Sequence, residues 1–300
     1  MRIDRPFHDG ELEVQRLSGE QAEARRNGRA IADAIPPGAF HFVEAQPFVV
    51  LGSVASSGAT WASLAFGVPG FARVVDERTV ELDLARAVLH AADPLLADLA
   101  ADPRVGLLFL EPETRRRLRV NGVMRREGER LVVAVAEAYP NCPKYVHRRR
   151  LRATLDPAAA RTGGESRGTA LDVDGRALVR RADTFFVASS NPGGHVDASH
   201  RGGEPGFVEL VDERTLSIPD YPGNHMYNTL GNVALEPRAG ATFVDFENGR
   251  VLMATGTAAI ELARPGHEEE TLGTNRFWRF RVEEWCSFPL PVRLSIEELT

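Results

Sequence analysis

The sequence predicts a mainly β protein, a β-barrel fold with α insertions, built from two tandem barrel units. Three observations predict this fold class: a sequence repeat runs through the chain, short strand-like segments alternate with turn residues, and each copy of the repeat carries one helical segment between its strands. Several short antiparallel strands with turns between them are typical of a small closed barrel.

The repeat is collinear over most of the chain. Residues 69–79 contain Pro-Gly-Phe and then Asp-Glu-Arg-Thr, and the same letters return with the same spacing in residues 205–215, at an offset of 136. Later matches stand at an offset of 134, and they are Pro103-Arg104 with Pro237-Arg238, Gly106 with Gly240, and Gly122 with Gly256. Because the matches keep their order, chance agreement of common dipeptides is a poor explanation.

The repeat divides the chain into three regions. Residues 1–150 are predicted to form an N-terminal barrel with a leading amphipathic helix over 19–34, and residues 181–300 a C-terminal barrel. Residues 151–180 read as a linker, because Pro157, a short alanine run and Gly163-Gly164 are typical of connecting segments.

Each unit has the same order of predicted elements. In the first unit these are strands at 48–54, 59–66, 71–84, 105–110 and 117–125, with a helix at 93–101. In the second unit they are strands at 185–190, 195–201, 207–218, 239–246 and 250–260, with a helix at 225–235 that Asn224 caps and Pro237 ends. Asn248-Gly249 is a strong hairpin signal between the last two strands.

Composition excludes several classes of function. The formal net charge of -6 argues against non-specific nucleic-acid binding, and no apolar run is long enough to cross a bilayer. Two cysteines are too few for a disulfide framework, so a cytoplasmic location is expected. The arginine runs at 115–117 and 148–150 are interpreted as solvated faces or ion-paired edges.

The most polar strand-like segment, residues 197–203, predicts an anion site. Ser199 and Arg201 would share one strand face, with His200 on the other, and the two glycines that follow let a ligand approach the backbone. Arginine and serine suit a phosphate ester. The first unit has apolar residues at the aligned positions, as expected if one copy binds a ligand and its twin has become a packing surface.

Two other chemistries fit the sequence poorly. A hydrolytic triad needs its serine within reach of its histidine, but Ser199 and His200 are neighbours on opposite strand faces. The histidines at 195, 200 and 225 lack helical spacing and have no carboxylate cluster beside them, so no metal site is predicted.

Two further segments complete the candidate site. Residues 221–229 lead into the second predicted helix, whose N-terminus would help to close the anion site. Residues 138–149 hold Cys142 between two prolines and beside Lys144, the only lysine of the chain; the cysteine is interpreted as unreactive.

Together these motifs resemble flavin-nucleotide-binding proteins related to pyridoxamine 5′-phosphate oxidase, the FMN-binding split-barrel family. The resemblance covers most of residues 40–290. Its motifs are the Asp197–Gly203 run, Pro205-Gly206-Phe207-Val208, Asp212–Leu216, Asn224 leading to Thr229–Asn232, and Asn141-Cys142-Pro143-Lys144, which looks like the His-Cys-Pro-Lys motif of that family.

The resemblance implies a pair of split barrels with FMN at their seam. It places the FMN phosphate on Ser199 and Arg201, with His200 in the same run. From the matching positions, the other cofactor-binding residues would be Asn224, Asn228, Thr229, Arg250, Asn141, Cys142 and Lys144. The tandem arrangement implies that one chain makes the barrel pair by itself and binds one flavin, and it leaves open a further homodimer.

The function that the resemblance implies is an FMN-dependent oxidoreductase acting on an unidentified small molecule or electron donor. Asn141 stands in place of the usual histidine of the family and His200 in place of a common proline, so the exact cofactor is open. The alternatives are a non-catalytic flavin carrier or sensor, a split barrel that binds a deazaflavin or haem, and a structural barrel pair with no cofactor.

Overall fold

The computed structural model describes residues 3–156, 158 and 163–299. Pro157 and most of the alanine run of the predicted linker lie outside the described residues. Strands make up 45% of the structure and helices 17%, and the sheets curl into half-barrels, which confirms the predicted fold class. Among the described residues, no helix is long and apolar enough to cross a membrane.

The first half of the chain forms an eight-stranded antiparallel sheet. Its strands are β1 (Phe48–Val54), β2 (Thr60–Gly67), β3 (Ala72–Asp76), β4 (Thr79–Asp83), β5 (Ala87–Val88), β6 (Arg104–Glu111), β7 (Arg116–Glu127) and β8 (Arg130–Pro140). In space they follow the order β3-β4-β8-β7-β6-β1-β2-β5.

The second half of the chain forms a second sheet and a separate ribbon. The strands that follow β8 are β9 (Arg149–Leu155), β10 (Ser166–Gly168), β11 (Thr184–Ser190), β12 (Val196–Gly202), β13 (Glu209–Leu210), β14 (Thr215–Pro219), β15 (Arg238–Asp245), β16 (Arg250–Glu261), β17 (Phe277–Pro289) and β18 (Val292–Glu298). The sheet order is β12-β11-β15-β16-β17-β14-β13, with β10 also paired to β17, while β9 and β18 form the two-stranded ribbon.

Six α-helices accompany the strands in the described part of the chain. They are α1 (Asp9–Leu17), α2 (Gln21–Asn27), α3 (Phe40–Glu44), α4 (Leu95–Ala101), α5 (Val173–Arg181) and α6 (Asn228–Leu235). Helices α4 and α6 occupy the same place in the two halves, each directly before the strand that the sequence repeat aligns.

The two sheets share one topology. Read from the β3 edge, the first sheet runs β3-β4-β8-β7-β6-β1-β2, and the second, from the β13 edge, runs β13-β14-β17-β16-β15-β11-β12. When the two sheets are compared in this way, strands that correspond in the sequence repeat occupy the same position in each sheet. The sequence repeat is therefore matched by a repeat in the order of paired strands.

The repeated Asp-Glu-Arg-Thr motif makes the same turn twice. The side chain of Asp76 accepts a hydrogen bond from the backbone N–H of Arg78 at 2.8 Å, and that of Asp212 accepts one from Arg214 at 2.7 Å. This turn splits each of the long strands predicted at 71–84 and 207–218 into two shorter strands, so those two predictions were wrong in extent.

The repeated glycines stand where no side chain fits. Gly122 and Gly256 lie at matching β-bulges of β7 and β16, and a Cβ on either would overlap a carbonyl oxygen of the neighbouring strand. Gly106 and Gly240 lie where the two sheets meet: a Cβ on Gly240 would stand 2.5 Å from the Thr60 carbonyl oxygen, and one on Gly106 would overlap that of Val196. The sheets therefore cross at backbone contact distance.

Hydrophobic side chains of the described residues form three large clusters and a small fourth one of Ile31, Tyr139 and Met226. One belongs to the first half and includes Phe71 and Phe109, and another belongs to the second half and includes Phe185 and Trp278. The third lies between the halves and under the β9–β18 ribbon, and it contains Phe186. The two half-barrels are thus joined by a core as well as by the glycine crossing.

Three predicted features differ from the structure. The predicted helix at 19–34 is shorter in the structure: α2 covers Gln21–Asn27 and a single 3-10 turn follows at Gly28–Ala30. Helix α1 lies before the predicted range, and Gly19, with a left-handed φ of 71°, separates it from α2. The predicted linker, where described, contains β10, α5 and most of β9 rather than a plain connection. Strands β8, β17 and β18 were not predicted.

We expect Gly240→Ala to destabilise the protein by about 1–3 kcal/mol, because the added methyl group meets the backbone of the other sheet. Urea unfolding measures the change. Gly193→Ala is the matched control, since a Cβ there meets no atom within 4 Å. Equal urea-unfolding midpoints for the two variants would contradict the close approach of the two sheets at Gly240.

Candidate functional site

The main cleft of the protein lies between the two halves. The first half contributes β7 and the segment 141–145, and the second contributes β12 and the segment 219–230. The cleft holds about 830 Å³ of empty space, including its open mouth. A site built from both halves needs the seam between the sheets to be in place.

Nine of the ten residues predicted from the sequence line this cleft. They are Asn141, Cys142, Lys144, Ser199, His200, Arg201, Asn224, Asn228 and Thr229. The tenth, Arg250, does not: it begins β16, and its guanidinium donates to the Gly164 carbonyl at 2.9 Å and to Ser287 Oγ at 3.2 Å, beside a different hollow.

Asn224 lies in the cleft but does not cap the helix as predicted. Helix α6 begins at Asn228, with Tyr227 at the cap position. His225 and Tyr227 have left-handed backbone angles, with φ of 61° and 64°, which no helix can contain. The Asn224 side chain instead donates to Asn141 Oδ1 at 2.8 Å and so joins the two halves.

Arg119 is the centre of the polar network below the cleft. Its side chain is only 3% exposed. It donates to the Ala198 carbonyl at 3.0 Å, to the Tyr139 hydroxyl at 2.8 Å and to Ser199 Oγ, and it lies 3.4 Å from Asp197 Oδ1. Burial by itself lowers the pKa of Arg119, but Tyr139 and Asp197 outweigh it and raise that pKa. Arg119 is therefore a fixed cation that orients Ser199.

The sequence reasoning missed Arg117 and Arg119. The run at 115–117 was interpreted as a solvated face, but only Arg115 and Arg116 are exposed. Arg117 and Arg119 are two apart on β7 and share the face that looks into the cleft. The predicted strand at 117–125 carried this signal, because its alternation places both guanidinium groups on one side.

Other lining residues were also missed. Tyr145, Tyr221 and Arg276 line the cleft, and the rings of the two tyrosines are 4.9 Å apart. Arg276 immediately precedes the unpredicted strand β17, so nothing in the motif pattern pointed to it.

His200 is a neutral donor. Arg117 can only donate a hydrogen bond, and its Nη1 lies 3.3 Å from His200 Nδ1, so Nδ1 accepts and the ring proton is assigned to Nε2. Burial lowers the pKa of His200 well below its usual value, and the neighbouring arginines 117 and 201 lower it further. The imidazole therefore stays uncharged at neutral pH.

Three buried donors of the cleft-lining residues have no hydrogen-bond partner within the part of the chain that the structure describes. They are Arg117 Nε, His200 Nε2 and Arg201 Nε. Neither Arg117 nor Arg201 forms an ion pair with a described residue, and burial lowers the pKa of Arg117 to about 10. Buried donors left this way cost free energy unless a ligand supplies acceptors.

The cleft has an excess of positive charge: Arg119 and Arg276 are paired with carboxylates, while Arg117, Lys144 and Arg201 have no ion-pair partner among the described residues. Its lining residues include five cationic side chains, at 117, 119, 144, 201 and 276, but only one carboxylate, Asp220. Asp220 is already paired with Arg276 at 3.1 Å. An anion therefore finds favourable charge here although the chain as a whole is acidic.

The first half carries an anion of its own at the corresponding place. Ser63 and Leu95 correspond to Ser199 and Thr229 at the repeat offsets. Asp93 accepts a hydrogen bond from Ser63 Oγ at 2.6 Å and from the backbone N–H of Leu95, at the start of α4, at 2.9 Å. In the second half, Ser199 Oγ instead contacts Arg119 Nη2 and Thr229 Oγ1.

The rest of the first-half counterpart is apolar. Trp61, Leu64 and Phe66 on β2 are buried in the cluster between the halves, together with Val251 and Met253. Val251 and Met253 correspond, at the repeat offset, to Arg117 and Arg119. The expectation that the twin of the site is a packing surface agrees with this arrangement.

A buried carboxyl supports the cleft from below. Glu11 of α1 is 3% exposed, and it accepts a hydrogen bond from Asn228 Nδ2 at 2.5 Å and from the His8 backbone N–H at 2.9 Å. Burial, together with the charges of Asp197 and Glu137, raises the pKa of Glu11 to about 8. The first residue of α6 is therefore held by a carboxyl group that is protonated at neutral pH.

Comparisons with known proteins gave similarities of structure at low identity. No family model and no curated protein matches the chain. A HupZ structure from Group A Streptococcus is 18% identical, covers 38% of this chain and 90% of its own, and has a TM-score of 0.31. A putative pyridoxamine 5′-phosphate oxidase from Lactobacillus delbrueckii is 13% identical over 39% of this chain and 94% of its own, with a TM-score of 0.33. HutZ, a haem storage protein from Vibrio cholerae, is 12% identical over 40% and 94%, with a TM-score of 0.29.

We expect the contribution of Glu11 to stability to fall as pH rises from about 4.5 to about 8. The folded protein keeps the Glu11 proton through this interval and the unfolded chain does not, so the free energy of unfolding falls by about 1.4 kcal/mol per pH unit from this group. Glu11→Gln removes that dependence. Urea unfolding of both proteins between pH 5 and 8 measures the difference.

The control for this pH series is Glu13→Gln. Glu13 lies on the same helix, but its carboxylate is exposed and paired with Arg16, which lowers its pKa. Its variant should keep the slope of the original protein. Parallel curves for the original protein and Glu11→Gln would show that Glu11 is ionised when folded.

Proposed function

We propose that the chain is an FMN-binding protein of the split-barrel kind and that the cleft between its halves holds the flavin phosphate. The observation that carries the proposal is the set of unpartnered donors on Arg117, His200 and Arg201, three residues that come from both halves and line one cleft. A phosphate monoester offers three acceptor oxygens and negative charge, and guanidinium groups match its geometry.

The first half supports a phosphate at this position. There the Asp93 carboxylate lies on a serine hydroxyl and on the N–H at the start of a helix. Ser199 and the start of α6 offer the same two kinds of group in the second half, with two added arginines. A phosphate would replace the carboxylate and take up the extra positive charge.

The remaining lining residues suit the rest of a flavin nucleotide. Asn141 and Asn224 are amide side chains that can donate to or accept from ring and ribitol atoms. Tyr145 and Tyr221 offer flat aromatic surfaces at the cleft. Lys144 is exposed at the segment 141–145 and adds a mobile positive charge.

We further propose an oxidoreductase whose redox chemistry the bound flavin supplies. The protein residues then bind and orient the flavin, and none has to act as a strong acid or base. His200, neutral and fixed by Arg117, is suited to donating a hydrogen bond rather than a proton. The substrate is a small molecule of unassigned class.

One chain would supply both halves of the site, as two tandem barrels with a single flavin between them. The arginines of β7 and β12 lie at one seam between the halves. The corresponding residues of β16 and β2 are mostly apolar, and Asp93 contacts Ser63 of β2. A second flavin has no cationic partners there. A single flavin per chain is therefore part of the proposal.

We expect Arg201→Ala and Arg117→Ala each to weaken FMN binding by about 10-fold to 100-fold, the loss of one charge-assisted hydrogen bond. Quenching of flavin fluorescence on titration gives the dissociation constants. Arg250→Ala is the matched control, because this arginine lies outside the cleft and should leave FMN binding unchanged.

Riboflavin, which lacks the phosphate, separates phosphate binding from ring binding. The original protein should prefer FMN to riboflavin, and Arg201→Ala should lose most of that preference while its affinity for riboflavin stays the same. A protein that takes up neither compound overturns the proposal, and uptake of haem or a deazaflavin in its place assigns the cleft to that group.

A further inference from the structure

The segment 224–228, here called the cleft loop, has an unfavourable backbone. His225 and Tyr227 both adopt left-handed angles, which residues with a Cβ rarely do. The loop lines the cleft and leads directly into α6, which begins at Asn228. Something outside the loop must hold this conformation, since the loop residues themselves do not favour it.

The first thirty residues of the chain supply those contacts. Gln15 donates to the Met226 carbonyl at 3.1 Å, and Asn27 donates to the Asn224 carbonyl at 2.7 Å. These bonds fix backbone groups of the loop from a segment about 200 residues earlier in sequence. They come from α1 and α2, which the motifs of the sequence did not involve in the site.

Glu20, between α1 and α2, contacts both left-handed residues. Its Oε2 accepts hydrogen bonds of 2.5 Å from the Tyr227 hydroxyl and from His225 Nδ1. Its Oε1 accepts from Arg276 Nη1 at 3.2 Å, and the Arg276 guanidinium also lies 5.2 Å from the centre of the Tyr227 ring. One carboxylate therefore links the two unfavourable positions to β17.

We propose that Glu20 is a positioning residue of the cleft: by holding His225 and Tyr227 it sets the start of α6, and so the placement of Asn228 and Thr229 toward the bound phosphate. This inference rests on the proposed function for its effect on FMN. Its effect on the loop does not depend on any ligand. Glu20 itself is absent from the cleft lining and acts through its partners.

The alternative is that Glu20 only contributes to overall stability. In that case Glu20→Gln would lower the free energy of unfolding and speed hydrogen exchange across the whole fold. A positioning role instead predicts a local change, because the side-chain partners of Glu20 among the described residues are His225, Tyr227 and Arg276, and the glycine crossing lies elsewhere.

The experiment is hydrogen exchange, read by mass spectrometry on ligand-free protein, for Glu20→Gln and for the control Glu23→Gln. Glu23 lies on α2 and pairs only with Arg26 at the surface among the described residues. We expect about tenfold faster exchange over 221–230 in Glu20→Gln, with β6 and β15 unchanged, and no change in Glu23→Gln. Unchanged exchange over 221–230, or equal acceleration everywhere, overturns the inference.

Titration with FMN gives the second readout. Glu20→Gln should raise the dissociation constant for FMN about tenfold, and Tyr227→Phe should do so by a similar factor. Because both changes break the same contact, the double variant should bind no more weakly than about the weaker single variant. Fully multiplicative losses overturn the inference.

The two readouts separate the inference from the function on which it rests. If the original protein does not bind FMN, the proposed function fails, and the exchange measurement alone decides whether Glu20 holds the loop. If FMN binds and Glu20→Gln alters neither exchange nor affinity, the function stands and the inference fails.

Discussion

The crossing of the two sheets at Gly106 and Gly240 is the constraint on which the cleft depends. Each glycine meets the backbone of the other half, so the sheets approach more closely than side chains would allow. That approach brings β7 of one half beside β12 of the other, and the hydrogen bond from Arg119 to the Ala198 carbonyl spans the gap. The site is therefore a property of the seam, and neither half contains it alone.

The two halves share one strand topology but place groups of opposite charge beside the equivalent serines, Ser63 and Ser199. In the second half, Ser199 contacts Arg119 and Thr229, and in the first half, Ser63 and the start of α4 contact Asp93. Both halves keep a hydrogen bond between a serine near the end of the first barrel strand and a polar side chain of the helix. These bonds join Ser53 to Asp98 and Ser189 to Asn232. What differs is that a carboxylate of the chain, Asp93, contacts the serine and the helix start in the first half.

Much of the fold can be predicted from the amino-acid sequence, because each copy of the repeat contains the residues that form its turns and its β-bulges. The Asp76 and Asp212 turns and the bulge glycines act locally, so pattern and structure agree there. The candidate site was predictable as far as its motifs were local, which is why Ser199 and Arg201 were found and line the cleft. Asn224 was assigned as a cap because the left-handed residues after it depend on distant contacts that a local pattern does not contain.

Arg117 shows why a run of charged residues cannot always be interpreted as solvent-exposed. Its run of three arginines is typical of a solvated edge, yet strand alternation turns one member inward, beside Arg201 and a neutral His200. Burying two guanidinium groups without a carboxylate is costly, and the first half shows that this fold can place a carboxylate at the corresponding position. Under the proposed function, a bound phosphate supplies the negative charge that offsets this cost in the second half. For that reason the cationic cleft is better explained as a binding site than as a packing arrangement.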